Sequence, residues 1–225
     1  RDRRLCTGHL RHPAEGADRL IAGKTDLGLI PVAMIAGMKE YHLVGNYCLS
    51  TNGEVRTVLL VSNTPFEEIN TIFLDYRSRS SVTLCRILAA KAWKREYKWH
   101  PAPEEFDITA MKHGEAAVMI GDRCFEYARH FSLRLDLGLE WKMFTGLPFV
   151  FACWVSAKPL PVEFTTLFNR ALEDGLERRN EAVSLLKEGA SVTPEEVIFY
   201  LNHNIDFSLD EIKKEALGKF IGYIK

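Results

Sequence analysis

The amino-acid sequence predicts an α/β fold, because short apolar runs typical of strands alternate with amphipathic stretches typical of helices. The chain has 225 residues, 47% of them hydrophobic, which is enough for one large domain or two modest ones with a buried core. The nearly continuous apolar run at 149–155 is typical of a central strand covered on both faces. No repeat or low-complexity linker is visible, so any two lobes are expected to be joined by short strands.

The elements are predicted in order along the chain from their apolar periodicity and their caps. A first helix over 13–23 precedes a buried strand at 26–31, and the β-rich segments 41–49 and 55–61 flank a turn at 51–53. The remaining predictions are a helix start at 64–67, a strand at 71–75, an amphipathic helix carrying Leu84, Leu88 and Ala92 inward, a strand at 116–120, a long helix at 162–187, and two capped helices starting at Thr193 and Ser208.

The composition excludes several classes of protein. A formal net charge of -1, from 29 basic and 30 acidic residues, argues against binding to nucleic acid, and the basic start formed by Arg1, Arg3, Arg4 and Arg11 is interpreted as a solvated strand edge. No window approaches the ~20 apolar residues of a membrane helix, so no membrane partner is expected.

The cysteines and histidines predict neither a disulfide framework nor a metal site. The five cysteines are evenly spread without a C-x-x-C pair, and the seven histidines show no spacing typical of metal ligands. Three of the cysteines lie in apolar runs and are interpreted as buried small side chains, which favours a reducing compartment and hence the cytoplasm. The five positions are Cys6, Cys48, Cys85, Cys124 and Cys153.

The serine-rich stretch at 74–81 links the carboxyl end of a predicted strand to the start of a helix, where open α/β sheets bind their ligands. The first turn of that helix offers backbone N–H groups, the positive end of the helix dipole and the hydroxyls of Ser78, Ser80 and Ser81, with Arg79 among them. Ordinary N-capping explains one serine, so the stretch is interpreted either as a cap or as a site for a carboxylate.

Three further turns have a structural interpretation and a ligand-binding one. No G-x-S-x-G, P-loop or G-x-G-x-x-G motif is present, so the hydrolase, nucleotidase and dehydrogenase classes lack their motifs. The three turns are Asn52-Gly53, which is a turn signal first, Gly121-Asp122, where Asp122 is expected to cap a helix, and Thr145-Gly146, a polar entry to the apolar strand.

The segment 136–154 resembles chorismate dehydratases of the futalosine pathway to menaquinone. It carries D-L-G, then E-W, then T-G-L-P-F-V-F-A-x-W, a long string that is typical of that family. Further matches in the same order lie at 13–15, 26–31, 52–55, 75–81, 120–122, 200–201 and 216–220, so the resemblance covers almost the whole chain.

The resemblance implies a two-lobed α/β fold of the periplasmic-binding-protein-like type II, with a central ligand cleft. The first lobe would comprise residues 1–62 and 150–225, and the second lobe residues 63–149. Family members typically open with a strand and a Y-x-N-x-x-P turn whose asparagine lines the cleft. The sequence begins at Arg1 after that point, so this asparagine is carried over to no residue here.

The resemblance also implies a function, the dehydration of chorismate to 3-[(1-carboxyvinyl)oxy]benzoate by a lyase that needs neither a metal nor an organic cofactor. The substrate is the implied partner, and Ser80 is the candidate catalytic residue, while the base that takes the proton is not identified. The expected substrate-binding residues are Ser78, Arg79, Ser80, Ser81, Asn52, Gly121, Asp122, Thr145 and Gly146.

Three alternatives share the predicted fold. The first is a solute-binding receptor that returns its ligand unchanged, and the second is the 1,4-dihydroxy-6-naphthoate synthase of the same pathway. The third is a non-catalytic sensor of a small aromatic carboxylate. The T-G-L-P-F-V-F-A-x-W string favours the dehydratase over the synthase.

Overall fold

The computed structural model describes residues 13–75, 78–103, 106–185 and 192–225 and confirms the predicted mixture of strands and helices. The strands are β1 (Leu27–Pro31), β2 (His42–Thr51), β3 (Val58–Ser62), β4 (Thr71–Leu74), β5 (Lys98–Pro101), β6 (Glu115–Ile120), β7 (Leu133–Asp136), β8 (Phe149–Ser156) and β9 (Asp206–Ser208). The α-helices are α1 (Pro13–Ile21), α2 (Val32–Ile35), α3 (Arg79–Ile87), α4 (Arg123–Tyr127), α5 (Leu137–Thr145), α6 (Val162–Glu177), α7 (Pro194–Phe199) and α8 (Glu211–Ile224).

The first sheet has the strand order β1-β8-β2-β9, and all of its pairings are antiparallel. The apolar strand β8 lies between β1 and β2, as its sequence predicts, because a strand paired on both sides and covered on both faces buries nearly every side chain. Its pairing of Phe149 with Thr51 at one end and of Ser156 with Leu27 at the other fixes the register of the sheet.

The second sheet has the order β5-β4-β6-β3-β7, with β4 parallel to both β5 and β6 and β3 antiparallel to both β6 and β7. The expected first lobe ended at residue 62, but Val58–Ser62 pairs inside this second sheet. The chain therefore changes sheet between Thr51 and Val58. The division into lobes at 1–62 with 150–225 and at 63–149 stays a prediction.

Several predicted helices differ from the structure in length or in their start. The long helix α6 ends at Glu177, ten residues before the predicted end, and none of its side chains is fully buried. The last helix begins at Glu211 with Asp210 as its N-cap, whereas Ser208, the predicted cap, pairs in β9 with Tyr47. The predicted helix start at 64–67 forms only one 3-10 turn at Phe66–Glu68.

The main core extends from the first sheet, α5 and α8 to α3 and one face of the second sheet. The indole of Trp141 is fully buried there, and its ring meets those of Phe149, Phe220 and Tyr223 at centroid distances of 5.4, 5.9 and 6.1 Å. Its Nε1–H donates to the Pro148 carbonyl at 3.0 Å, so burial leaves no polar atom of this side chain unpaired. Trp141, Pro148 and Phe149 of the 136–154 string are thus core residues that join α5 to β8, whereas Glu140 is half-buried.

The chain crosses from the first sheet to the second in the first connecting segment, 52–57, and returns through a second connecting segment that contains α5. The carboxylate of Asp136 holds these two segments together. It accepts hydrogen bonds from the N–H groups of Gly138 and Leu139 at 3.0 and 3.1 Å, which caps α5. It also accepts from the N–H groups of Val55 and Arg56, at 3.0 and 2.6 Å, in the other connecting segment. Burial raises the pKa of Asp136, and these four N–H groups oppose that shift by stabilising the ionised form.

Gly138 explains why the D-L-G string has a glycine. A Cβ atom at this position would lie 2.7 Å from Thr51 Cγ2 and 2.8 Å from the Gly53 carbonyl oxygen. The turn after β2 therefore approaches the first turn of α5 more closely than any larger residue permits. Asp136 and Gly138 together make the two connecting segments one packed unit.

We expect Asp136→Ala to lower the free energy of unfolding by about 3 kcal/mol, because four backbone N–H groups lose a charged acceptor at a buried site. Urea denaturation followed by circular dichroism measures this loss. Asp107→Ala is the matched control, since Asp107 caps a 3-10 turn at an exposed position and its removal is expected to cost clearly less. Equal losses for the two variants would contradict the role given to Asp136.

Candidate functional site

The serine segment, Ser78–Ser81, forms the start of α3, as the sequence predicts. Ser78 is the N-cap: its Oγ accepts a hydrogen bond from the Ser81 N–H at 3.3 Å and its hydroxyl donates to Ser81 Oγ at 2.7 Å. Ser78 is half-buried and Ser81 is 1% exposed. The capping interpretation is therefore confirmed for Ser78, and it leaves Ser80 without a role in the cap.

Ser80 connects the start of α3 to the first sheet. Its hydroxyl donates to the carbonyl oxygen of Phe151 in β8 at 2.9 Å, and its Oγ accepts from the N–H of Ala33 in α2 at 3.3 Å. The side chain is 2% exposed. The last residue pair between β1 and β8 is Pro31 with Ala152. At Phe151, the next residue of β8, the Ser80 hydroxyl therefore takes the place of a backbone donor from a neighbouring strand.

Arg79 also reaches the elements of the first sheet. Its guanidinium lies 3.4 Å from the Asp18 carboxylate in α1 and donates to the Met34 sulfur at 2.9 Å. Both charged side chains are about half exposed, so this ion pair contributes little to stability by itself. Ser80 and Arg79 place the serine segment at the junction between the two sheets, with its hydroxyls engaged by protein groups.

Gly121 and Asp122 follow β6 at the start of α4. Gly121 has a φ of +70°, which favours glycine, and its N–H donates to the Thr57 carbonyl at 2.9 Å beside the first connecting segment. Asp122 holds the N-cap position, but its side chain makes no capping hydrogen bond, so the predicted cap is wrong in that respect. Its φ and ψ of -60° and -26° are already helical, which turns the carboxylate away from the N–H groups of the first turn.

Thr145 and Gly146 end α5. The Thr145 hydroxyl donates to the Trp141 carbonyl at 2.8 Å and accepts from the Leu147 N–H at 3.1 Å. Gly146 adopts a left-handed φ of +74° and its N–H donates to the Lys142 carbonyl. Both residues are therefore explained by the end of α5 and the entry to β8, which agrees with their structural interpretation.

A cavity of about 980 Å³ lies beside the first connecting segment, between the end of β2, the end of α6 and the chain from α7 to β9. Among the predicted binding residues only Asn52 lines it, and the serine segment does not. We call it the C-terminal cavity. Its lining residues are Tyr47, Thr51, Asn52, Gly53, Glu54, Arg56, Leu176, Arg179, Phe199, Leu201, Asn202, His203, Asn204, Ile205, Asp206, Phe207 and Ser208.

The buried cysteines of the described residues are free thiols. Burial raises the pKa of Cys48 to about 11 and that of Cys85 to about 12, so both are protonated at neutral pH. Burial also raises the pKa of Cys124 and of Cys153. These thiols therefore serve as small apolar side chains rather than as nucleophiles, while Cys6 and the basic start lie outside the described residues.

A family model described as menaquinone biosynthesis matches residues 6–225 of the chain. The chain belongs to this menaquinone biosynthesis family. The resemblance at 136–154 is thereby confirmed over almost the whole sequence, and the protein is assigned to an enzyme family of this pathway. The match also covers the serine segment, both connecting segments and the C-terminal helices.

Solved structures show the same fold at low sequence identity. Protein AF1704 from Archaeoglobus fulgidus aligns with a TM-score of 0.74 at 14% identity, over 95% of this chain and 83% of that chain. An ABC transporter from Parabacteroides distasonis gives 0.62 at 18% identity, over 96% and 79%. The periplasmic aliphatic sulphonate binding protein SsuA from Escherichia coli gives 0.62 at 13% identity, over 95% and 74%. These likenesses confirm the two-lobed, periplasmic-binding-protein-like fold.

No pattern in the sequence indicates the charged and aromatic groups that lie at the C-terminal cavity. Arg56 lies with its guanidinium carbon 5.6 Å from the Phe125 ring centre and 5.8 Å from that of Phe199. Arg179 donates to the Asn202 side chain and to the Leu176 carbonyl. Arg56 adopts a left-handed φ of +63° after β2, a conformation that the sequence does not indicate because arginine rarely adopts it.

None of the helices in the described ranges is both long and apolar enough to cross a bilayer. Over the same ranges, no group of three or more histidine, cysteine or acidic side chains is placed to hold a metal ion.

Proposed function

We propose that the protein is a chorismate dehydratase, which converts chorismate to 3-[(1-carboxyvinyl)oxy]benzoate and water. The observation that carries the proposal is the match of the menaquinone biosynthesis family to residues 6–225, together with the dehydratase-like string at 136–154. The position of the serine segment at the junction of the two sheets supports it, because two-lobed binding folds hold their ligands between the lobes.

The serine segment is the proposed site for the ring carboxylate. The start of α3 provides backbone N–H groups, the positive end of the helix dipole and hydroxyls on one short stretch. In the described arrangement the Ser80 hydroxyl binds Phe151 and Arg79 binds Asp18. Substrate entry therefore requires the lobes to separate there, after which Ser80, Ser81 and Arg79 exchange protein partners for the carboxylate.

The reaction requires stabilisation of the negative charge that develops on the substrate, and it requires no protein nucleophile. A proton leaves the ring carbon that bears the enolpyruvyl ether, and its electron pair is delocalised through the diene into the ring carboxylate. The neighbouring hydroxyl then leaves with a proton as water, and the ring becomes aromatic. Hydrogen-bond donors on the ring carboxylate stabilise the growing negative charge, so Ser80 and Ser81 are placed in that role. Closure of the lobes would exclude water and strengthen these bonds.

The proposed reaction involves no net oxidation or reduction and no group transfer to a second substrate. It therefore needs no redox cofactor, and chorismate is the proposed partner. We place the enzyme in the cytoplasm, an assignment supported by the free, buried thiols at Cys48, Cys85, Cys124 and Cys153.

Incubation of the protein with chorismate is expected to yield 3-[(1-carboxyvinyl)oxy]benzoate, detected by aromatic absorbance and by a mass 18 Da below that of chorismate, roughly one water. Because no cofactor is needed, the conversion should proceed in buffer containing a metal chelator. Chorismate that binds and is recovered unchanged would favour the solute-binding or sensor function and contradict the proposal.

The double variant Ser80→Ala, Ser81→Ala is expected to weaken chorismate binding at least tenfold, about 1.4 kcal/mol, because the carboxylate loses two hydroxyl donors. Isothermal titration calorimetry measures the affinity, and circular dichroism checks that the variant is folded. Thr83→Ala is the matched control, since its hydroxyl is on the same helix but donates to the Arg79 carbonyl. An affinity unchanged in the double variant would remove the carboxylate from the serine segment.

A further inference from the structure

The C-terminal cavity is separate from the serine segment and has the size of a small-molecule site. Its volume of about 980 Å³ lies at the upper end of the range typical of ligand pockets. None of the residues Ser78, Ser80 and Ser81 lines it, and of the residues expected to bind chorismate only Asn52 does. A ligand in this cavity would therefore be additional to chorismate at the lobe junction.

Two cationic side chains of the cavity have no carboxylate partner among the described residues. The guanidinium of Arg56 contacts only the faces of Phe125 and Phe199. That of Arg179 donates to neutral oxygens, the Asn202 amide and the Leu176 carbonyl. Both side chains are half-buried, where an arginine keeps its charge and binds carboxylates in a bidentate manner.

The acidic groups of the cavity do not neutralise these arginines. Asp206 is bound by the buried ammonium group of Lys213 at 2.7 Å, and it also accepts from the Ser208 N–H at 3.0 Å. Glu54 lines the cavity at an exposed position and pairs with no cation of the described residues. The cavity thus favours an anion of low charge, because a strongly charged one would be repelled by Glu54 and Asp206.

The same cavity is lined by the aromatic ring of Phe199. Phe199 is 48% exposed, and its ring stacks on that of His203 at a centroid distance of 4.4 Å. Arg56 lies beside Phe199, and Arg179 binds Asn202, three residues further along the same helical stretch. His203 and Arg56 both lie against this ring, so a flat ligand ring would pack on its exposed part and place an attached carboxylate near the guanidinium of Arg56.

From these contacts we infer that the C-terminal cavity binds a small aromatic monocarboxylate, with its ring on Phe199 and its carboxylate held by Arg56 and Arg179. Such a ligand would pack against the first connecting segment, since Arg56 is part of it and its backbone N–H is bound by Asp136. The inference concerns binding alone, and it does not depend on chorismate being the substrate at the junction.

The test uses 2-naphthoate and its uncharged analogue 2-naphthamide in titration calorimetry with the full chain. We expect 2-naphthoate to bind and 2-naphthamide to bind at least tenfold more weakly, since only the former has the carboxylate. Arg56→Gln and Phe199→Ala should each weaken 2-naphthoate at least tenfold. Arg178→Gln is the matched control and should leave the affinity unchanged, because Arg178 is exposed, pairs with Glu181 and does not line the cavity.

Three outcomes would overturn the inference. They are equal binding of the two probes, an affinity for 2-naphthoate unaffected by both Arg56→Gln and Phe199→Ala, and loss of binding in the Ser80→Ala, Ser81→Ala variant, which would place 2-naphthoate at the junction. Phe199 is half exposed and its replacement should fold, so Phe199→Ala decides the matter even if Arg56→Gln does not fold. Chorismate turnover in the unaltered protein is measured separately, so failure of the cavity and failure of the dehydratase proposal are distinguishable.

Discussion

The carboxylate of Asp136 is the interaction on which the arrangement of the two sheets depends. The chain passes from one sheet to the other through the segment after β2 and returns through α5, and Asp136 binds backbone N–H groups of both segments. Burying a carboxylate is costly, and only a full set of donors makes it tolerable. Because Gly138 lets the turn after β2 lie directly on α5, the two segments form a single packed connection rather than two independent strands.

Both proposed ligand sites adjoin elements joined by that connection. On one side of it, the start of α3 meets β8 and α2 through Ser80, and α1 through Arg79. On the other, the turn after β2 borders the C-terminal cavity. A change in the angle between the sheets would alter the contacts of Ser80 and Arg79 first, because those two side chains bridge elements that no strand pairing joins. These contacts are the reason why the serine segment is the proposed site for a substrate whose binding and release accompany lobe movement.

The parts of the fold that the sequence predicts are those with strong apolar patterning. The strands β1 and β8 follow from short, nearly continuous apolar runs, and the start of α3 follows from its serine cap. The strands β5 and β7 are not predicted, because they lack an apolar pattern. They lie at the two edges of the second sheet and carry polar residues that are partly exposed. The same distinction applies to the candidate site. The helix start at Ser78 can be predicted from neighbouring residues, whereas the hydrogen bond from Ser80 to Phe151 depends on the tertiary fold. Arg56 and Arg179 are far apart in sequence, so no local pattern could bring them to one cavity.

Backbone hydrogen–deuterium exchange with and without saturating 3-[(1-carboxyvinyl)oxy]benzoate, the proposed product, tests most directly whether the junction between the lobes is the ligand site. Slower exchange is expected at residues 78–82, because the ligand would accept hydrogen bonds from their N–H groups, and at the start of α2, because the lobes would close over it. Exchange at 78–82 that does not change at saturation would contradict it.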